Sequence, residues 1–391
     1  MASDHDIIQA LSGRALPIAW LDHERLEHNI DVLSKLASPL KIRVASKSVR
    51  SSDVLRILLH EHPHIFHGIL AYHPDEAVWL SSLGFKDIVI GYPYMDWFSH
   101  QEGLKSSLDE ITFMVDRIEH LEVINQFGAK RQQKINICFD IDLSTKHFGV
   151  LFGVYRSSLR SEVEMTKLLD HLEHMKFVHL RGIMGYEAQI AGVGDANPFK
   201  KLLNPVISFL KKKSWPIVKN RRQSLVKLCI SRGFKLDFVN GGGTGSLALT
   251  KSDESVTEVA AGSGIYSPLL FDYYKSFKLL PAAGFALEVT RMPARKTVTV
   301  AGGGYIASGA NSPDKSPRPM HSQHLSLEAN EGAGEVQTPL HGKVLPKLGS
   351  MVLFRHAKAG ELCERFNHLH LVKLGEVSQL KTYRGEGKCF L

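Results

Sequence analysis

The sequence predicts an α/β fold, a closed (β/α)8 barrel of the TIM type with a C-terminal β domain that an N-terminal strand completes. Between residues 42 and 260, eight short apolar segments occur with helical segments between most of them. This alternation is typical of a parallel sheet and, over about 250 residues, of a closed barrel. Glycine-rich turns follow the last two segments, where barrels build phosphate sites, whereas an open doubly wound sheet would place such a turn after its first strand.

Taken in order, residues 16–21 form a predicted strand, and Asp22 caps a helix with apolar residues at helical spacing. The barrel strands are predicted at residues 42–47, 66–71, 88–91, 111–115, 134–142, 177–184, 236–240 and 257–260. From residue 284, short β segments alternate with turns rich in glycine and proline, which indicates a β domain. We therefore predict a barrel over residues 22–280 and a β domain formed by residues 1–21 plus 281–391.

The composition is that of an ordinary globular protein of 391 residues, 43% hydrophobic and 23% charged. The net charge of +8 is modest for this length, and Trp215, Pro216 and Val218 interrupt the most basic stretch, residues 211–222. This pattern favours a solvated helix–loop–helix over a nucleic-acid-binding surface, so no nucleic-acid partner is predicted.

The four cysteines lie far apart and form no Cys-x-x-Cys pair, so we expect reduced thiols in a reducing compartment. The first residues lack the basic and apolar regions of a secretory signal, and no apolar run is long enough to span a membrane. These features predict a soluble cytoplasmic protein that does not interact with a membrane.

Lys47 is the first candidate for chemistry, because it ends the first barrel strand between two serines. A lysine whose stem passes through a strand end into a pocket is desolvated, which lowers its pKa and leaves a nucleophile that can form a Schiff base. The alternative is a lysine that reaches solvent from a strand end.

The turns 241–246 and 262–264 are the second candidate, because their glycines let backbone N–H groups approach a phosphate. Strands eight and one are neighbours in a closed barrel, so this phosphate site is expected within reach of Lys47. An amine beside an anion site suits pyridoxal phosphate, whose aldehyde needs the first and whose phosphate needs the second.

Several short motifs follow one another along the chain: Arg43-x-x-x-Lys47, Glu76-Ala77, Asp142 with Gly149-Val150, Gly182-x-x-Gly185-Tyr186-Glu187, Gly242-Gly243-Thr244, Glu258-x-x-x-Gly262-x-x-x-Tyr266 and Asp272-x-Tyr274. In this order and spacing, the sequence resembles the alanine-racemase-type (fold type III) pyridoxal-phosphate enzymes. Within them, it is most similar to the D-threonine aldolase and D-serine dehydratase branch, over nearly the whole chain.

The resemblance implies roles for individual residues. Lys47 would hold the cofactor and act as a base at Cα. Tyr186 would be a second catalytic residue, and Tyr186 and Gln189 would line the ring and the substrate side. Arg156 would contact the ring or the substrate carboxylate, its alternative being a surface arginine. The remaining cofactor-binding residues would be Gly242, Gly243, Thr244, Gly262 and Ser263 at the phosphate, together with Tyr266.

The sequence also departs from the family pattern. Lys47 lies in Val-Ala-Ser-Lys-Ser-Val-Arg instead of a lysine-rich run. Ala188-Gln189 replaces a histidine expected after the Tyr186 strand, and His147 takes the place of a racemase arginine. The second catalytic base is therefore left open.

The resemblance further implies a divalent metal (Mn, Mg or Zn) bound by a His-x-Cys or His-x-Asp pair, which would hold the substrate's β-hydroxyl. His356 matches the first ligand and is a catalytic candidate, but Lys358 occupies the second position. Glu361 or Cys363 could replace that ligand, and without a metal Lys358 could supply the positive charge.

We therefore expect a pyridoxal-phosphate-dependent lyase that cleaves D-β-hydroxy amino acids to glycine and an aldehyde, and that forms a homodimer. Alternatives are a D-serine dehydratase-like deaminase that releases a keto acid and ammonia, and an amino-acid racemase. A non-catalytic protein of pyridoxal-phosphate homeostasis is disfavoured, because such proteins are usually a lone barrel.

Overall fold

The computed structural model describes residues 3–97, 108–310 and 312–390. In chain order the strands are β1 Ile18–Asp22, β2 Lys41–Ala45, β3 Phe66–Ala71, β4 Ile88–Ile90, β5 Ile111–Val115, β6 Ile135–Ile141, β7 Thr145–His147, β8 Val150–Phe152, β9 Val178–Gly185, β10 Phe238–Gly241, β11 Glu258–Ala261, β12 Ala283–Ala294, β13 Thr297–Ala301, β14 Arg318–Pro319, β15 Leu325–Leu327, β16 Gln337–Gly342, β17 Met351–Arg355, β18 His368–Lys373 and β19 Glu376–Lys381. The α-helices are Asp4–Leu11, His23–Ala37, Ser52–Arg56, Pro74–Ser82, Ile118–Arg131, Glu162–Glu173, Ala188–Ala191, Asn204–Ser231, Leu247–Thr250 and Ser263–Tyr266.

Eight parallel strands close the predicted barrel in the order β10-β11-β2-β3-β4-β5-β6-β9. The predicted strand bounds agree with these to within two residues. β11 lies beside β2, with Ala261 opposite Val44, so the turns that follow these two strands are neighbours. The fold class predicted from the sequence is therefore confirmed.

The barrel strands form because both of their faces are buried. All residues of β4 and of β5 are buried, as expected for strands covered by helices outside and by packed side chains inside. Val89, Met114, Cys138, Met184 and Phe238 form the apolar cluster of the interior. The barrel is thus a filled core, and chemistry is left to its rim.

The β domain is a sheet in the order β15-β16-β13-β12-β1-β18-β19, with β17 also paired to β12. β1 pairs antiparallel with β12 and parallel with β18, and each of its five residues is buried. An N-terminal strand therefore completes the domain as predicted. The boundaries at residues 21/22 and 280/281 stay a prediction.

Residues 204–231 correct one prediction. The expected helix–loop–helix is a single 28-residue helix that contains Pro216. Buried Ser214, Val218 and Arg222 attach it to the barrel on either side of the proline. Packing against the barrel thus stabilises a continuous helix although Pro216 removes one of its backbone hydrogen bonds. In the part of the chain that the structure describes, no helix has the length and apolar character needed to cross a membrane.

Candidate active site

The carboxyl ends of the barrel strands surround a cavity of about 550 Å³. Side chains and turns from the barrel line most of it, and residues 314, 315, 358 and 359 of the β domain complete the wall. Nine of the residues predicted from the sequence lie together here: Lys47, Arg156, Tyr186, Gly242, Gly243, Thr244, Gly262, Ser263 and Lys358.

Lys47 lies in a 3-10 turn, Ser46–Ser48, immediately after β2. Ser46 Oγ donates to the carbonyl of Leu70 at 3.1 Å, and Ser48 Oγ is 3.0 Å from Ser263 Oγ in the neighbouring turn. These bonds fix the turn at the cavity, but the Lys47 side chain itself is exposed. Its amine therefore borders the cavity and reaches solvent through it. The desolvation of this lysine stays a prediction.

Tyr92 is a site residue that the sequence analysis missed. Lys47 Nζ donates to its hydroxyl at 3.3 Å, and the guanidinium of Arg156 lies 5.0 Å from its ring centre. Burial favours the neutral phenol, but the cations of Lys47 and Arg156 outweigh it and lower the pKa of Tyr92 below 10. Its position just after β4, at the barrel mouth, was the available signal.

Arg156 is held at the mouth by two bonds to the barrel. Its Nε donates to Asp140 Oδ2 and its Nη2 to the carbonyl of Gly91, both at 2.7 Å. The surface-arginine alternative is thus wrong. Burial raises the pKa of Asp140 to about 6 although Arg156 opposes it, and Arg156 itself has a raised pKa.

The two glycine turns form one structure, because Thr244 Oγ1 accepts a hydrogen bond of 3.1 Å from the N–H of Gly264. Gly242 has a φ of +85°, a conformation that favours glycine. A Cβ on Gly262 would lie 2.5 Å from the carbonyl oxygen of Ala45, and one on Gly243 would lie 3.0 Å from Tyr186. The turns thus need glycine and present backbone to the cavity, as a phosphate cradle does.

Glu187 supports the cradle from behind. Its fully buried carboxylate accepts hydrogen bonds from the N–H of Gly242 at 3.2 Å, from Ser246 Oγ at 2.8 Å and from the hydroxyl of Thr250. Arg222, also fully buried, donates to Glu187 at 2.7 Å. The position of the first glycine turn therefore depends on a buried ion pair.

Residues 21–267, more than half of the chain, match the alanine racemase N-terminal domain. The chain belongs to this family. Its fold family consists of pyridoxal-phosphate-dependent enzymes. No curated protein is significantly similar in sequence.

Solved structures of the same fold include several enzymes. D-threonine aldolase from Filomicrobium marinum has a TM-score of 0.79 at 15% identity, covering 95% of each chain. D-threo-3-hydroxyaspartate dehydratase from Delftia has a TM-score of 0.72 at 16% identity, covering 95% of this chain and 98% of that one. Alanine racemase from Clostridium difficile has a TM-score of 0.67 at 15% identity, covering 94% and 99%.

Within this alanine racemase-type fold, the pyridoxal-phosphate fit can be tested against the residues. The glycine cradle, the Lys47 amine and the Arg156 guanidinium border one cavity. This set offers a phosphate site, an amine for the aldehyde and a cation for the ring or a carboxylate, so the residues fit the cofactor.

Five predicted residues are not among those that line the cavity: Gln189, Tyr266, His356, Glu361 and Cys363. Gln189 is buried and donates to the carbonyl of Leu143 at 2.7 Å. Tyr266 is buried and donates to the carbonyl of Val49 at 3.0 Å, and burial raises its pKa. His356 is buried, and Glu361 accepts from the backbone N–H of Ser308. The predicted contacts of these side chains with cofactor or substrate stay predictions.

The residues present do not fit a divalent metal. Burial, followed by the charge of Arg355, lowers the pKa of His356 to about 3, so its ring is neutral, the form that binds metals. The second ligand position, however, holds Lys358, whose ammonium group has no lone pair for a metal. Burial also raises the pKa of Cys363 to about 12, which disfavours the thiolate that binds metals. Across the described residues, no three His, Cys, Asp or Glu side chains surround a common point.

His370, which lies in β18, has a structural role. Its Nδ1 is 3.1 Å from the carbonyl of Ala19 and its Nε2 is 3.2 Å from the Gln379 amide, so both nitrogens face partners in the β sheet.

Proposed function

We propose that the protein is a pyridoxal-phosphate-dependent lyase that cleaves D-configured β-hydroxy amino acids to glycine and an aldehyde. The observation that carries the proposal is the meeting of Lys47 with both glycine turns at one cavity. The similarity in fold to D-threonine aldolase supports the choice of substrate and reaction.

In this proposal the turns after β10 and β11 hold the phosphate, and Lys47 attaches the cofactor through its amine. The cofactor supplies an electron sink for the bond that breaks at Cα. Arg156, fixed by Asp140 and Gly91, orients the ring or the substrate carboxylate.

Tyr92 provides the proton-transfer group that the sequence left open. Its hydroxyl lies 3.3 Å from Lys47 Nζ, and its lowered pKa makes a larger fraction of this side chain available as phenolate than in an ordinary tyrosine. The pair can therefore take a proton from the substrate and return one to Cα on the same side of the cavity.

Dehydration is the second candidate, because the chain is 16% identical to D-threo-3-hydroxyaspartate dehydratase and 15% identical to D-threonine aldolase. The same residues would serve, with loss of the β-hydroxyl as water and release of a keto acid and ammonia. Racemase activity is a further alternative, since alanine racemase shares the fold. Homodimerisation, cytoplasmic location and the absence of nucleic-acid and membrane partners stay predictions.

The test begins with the visible absorbance of lysine-bound pyridoxal phosphate in the wild type and in Lys47→Ala. We expect the band in the wild type and its loss in the variant. Products from D-threonine then decide the reaction: glycine with acetaldehyde for cleavage, 2-oxobutanoate with ammonia for dehydration, and L-allo-threonine for inversion at Cα by a racemase. Absence of the band from the wild type, or an unchanged band in Lys47→Ala, would refute the cofactor role.

A further inference from the structure

The β-domain wall of the cavity carries two ammonium groups and one carboxylate where the family resemblance implies a metal. The carboxylate, Asp314, is buried and accepts hydrogen bonds from Asn197 Nδ2 at 2.8 Å and from the hydroxyl of Ser312. Lys315 and Lys358 line the same cavity as Lys47. Lys358 Nζ donates to Ser308 Oγ at 2.6 Å and lies 3.7 Å from Glu361 Oε1. Its ammonium is thus held in place by a neutral hydroxyl and a carboxylate behind it, which leaves a donor for the cavity side.

The segment that carries Lys358 is attached firmly to the barrel. Arg355 forms a two-bond pair with Asp272 at 2.6 and 2.9 Å. The next two carbonyls, those of residues 356 and 357, accept hydrogen bonds of 3.1 Å from the N–H groups of residues 269 and 270. Four bonds from two domains therefore fix the backbone immediately before Lys358, so its position relative to Lys47 is built into the fold.

The positions that would have to share a metal, His356 and Lys358, lie in different surroundings. His356 is buried and is absent from the cavity lining, whereas Lys358 lines the cavity. Neither ring nitrogen of His356 has a hydrogen-bond partner among the residues that the structure describes, although the backbone of Ala283 faces the ring. One histidine beside a lysine ammonium does not form the set of anionic and neutral donors that Zn²⁺, Mn²⁺ or Mg²⁺ requires.

We infer that this site works without a divalent cation, and that the Lys358 ammonium binds the substrate's β-oxygen in the cation's place. The inference rests on the proposed function, because that function supplies the β-hydroxyl. A hydrogen bond from a fixed ammonium stabilises the negative charge that develops on this oxygen. A metal ion bound to the oxygen would have the same effect. Ser308 acts as a positioning residue for Lys358.

The first experiment measures metal directly and needs no substrate. Holoenzyme purified without added metal is assayed for bound metals by mass spectrometry and titrated with Zn²⁺ and with Mn²⁺ by calorimetry. We expect far less than one equivalent of bound metal and no saturable binding at micromolar concentration. One equivalent of metal, or micromolar binding at a single site, would overturn the inference.

The second experiment uses Lys358→Ala, with Lys373→Ala, an exposed lysine of the same domain, as the matched control. Turnover of D-threonine should fall about 100-fold in Lys358→Ala, the effect of removing one donor to a developing oxyanion. The cofactor band should remain, methylammonium should restore part of kcat, and a chelator should change neither variant nor wild type. A merely structural role for Lys358 would show no rescue by methylammonium, and turnover that survives the substitution would also overturn the inference.

The two proposals fail in different ways. Wild-type turnover that disappears with a chelator and returns with Mn²⁺ sinks the inference and leaves the proposed function standing. Absence of glycine, keto acid and racemised product from the wild type sinks the proposed function, and the inference falls with it.

Discussion

Glu187→Gln tests whether a buried ion pair holds the cofactor's phosphate site. The substitution keeps the size of the side chain and removes only its charge. Two donors, Arg222 Nη2 and the Gly242 N–H, converge on Oε2, while the hydroxyls of Ser246 and Thr250 point at Oε1. A glutamine can accept from the first two with its oxygen and donate to the two hydroxyls with its amide.

This geometry limits the unfolding free energy that Glu187→Gln can lose. The hydrogen bonds can all be remade, but those to Arg222 and Gly242 lose their charge assistance, and Arg222 keeps only Asp253 as a charged partner. Because charge-assisted bonds exceed neutral ones by about 1 kcal/mol each, and an under-compensated buried charge adds to this, we expect a loss of about 3 kcal/mol in unfolding free energy. The affinity for pyridoxal phosphate should fall about tenfold, since the first glycine turn loses its anchor.

Urea unfolding and titration with pyridoxal phosphate measure the two effects. Glu119→Gln is the matched control, because this glutamate also pairs with an arginine, Arg117, but both side chains are more than half exposed. Exposed pairs contribute roughly 0–1 kcal/mol, so the control should unfold like the wild type. The reasoning is refuted if Glu187→Gln differs from this control by less than about 0.5 kcal/mol.

Three further substitutions test other parts of the site and its surroundings. Gly262→Ala places a Cβ 2.5 Å from the carbonyl of Ala45, so titration should show at least tenfold weaker binding of pyridoxal phosphate, and unchanged affinity would contradict the cradle. Tyr92→Phe should keep the cofactor band but lower kcat about 100-fold and alter the alkaline limb of the pH–rate profile; a change below threefold would exclude Tyr92 from proton transfer. Burial raises the pKa of Glu76 to about 7, so wild-type stability should fall as pH rises from about 4.5 to about 7, by roughly 3 kcal/mol in all. Glu76→Gln should flatten that dependence, which urea unfolding at pH 5 and at pH 8 measures. If the idea is wrong, the wild type and the variant will lose the same unfolding free energy between these two pH values.

The barrel was predictable because its strands are buried on both faces and therefore appear in the sequence as short apolar runs. Once the strands were placed, the residues at their carboxyl ends were predictable as site residues, because all eight ends meet at one rim of the barrel. Lys47 and the turns at 242–244 and 262–263 were found in this way. Tyr92 could have been found too, because it follows Gly91 directly after β4.

What the sequence did not reveal depends on side-chain direction near strand ends and in loops. Gln189 lies between the cavity-lining residues Tyr186 and Ala191 in the sequence, yet its amide donates to the carbonyl of Leu143. His356 and Lys358 are separated by one residue, yet the first is buried and the second lines the cavity. Such differences are set by packing between the two domains, which spacing along the chain does not encode.

His147 illustrates a related limit. The sequence places it where a racemase arginine was expected, but its Nε2 lies 2.8 Å from Ser214 Oγ in the long helix. The guanidinium at the cavity comes instead from Arg156, which reaches Asp140 and Gly91 from a different loop. The sequence position of the expected arginine thus did not predict which guanidinium reaches the cavity.

The central place of β1 in the β sheet has a consequence for biosynthesis. Its two partners, β12 and β18, begin about 260 and 350 residues later, so on the ribosome this strand emerges long before either edge of it can be covered. The barrel can close first, whereas β1, whose five residues are all buried in the folded protein, stays unpaired until about the last hundred residues are synthesised. We therefore expect ribosome-stalled chains that lack β18 to expose β1 to proteases and chaperones even when their barrel is already formed.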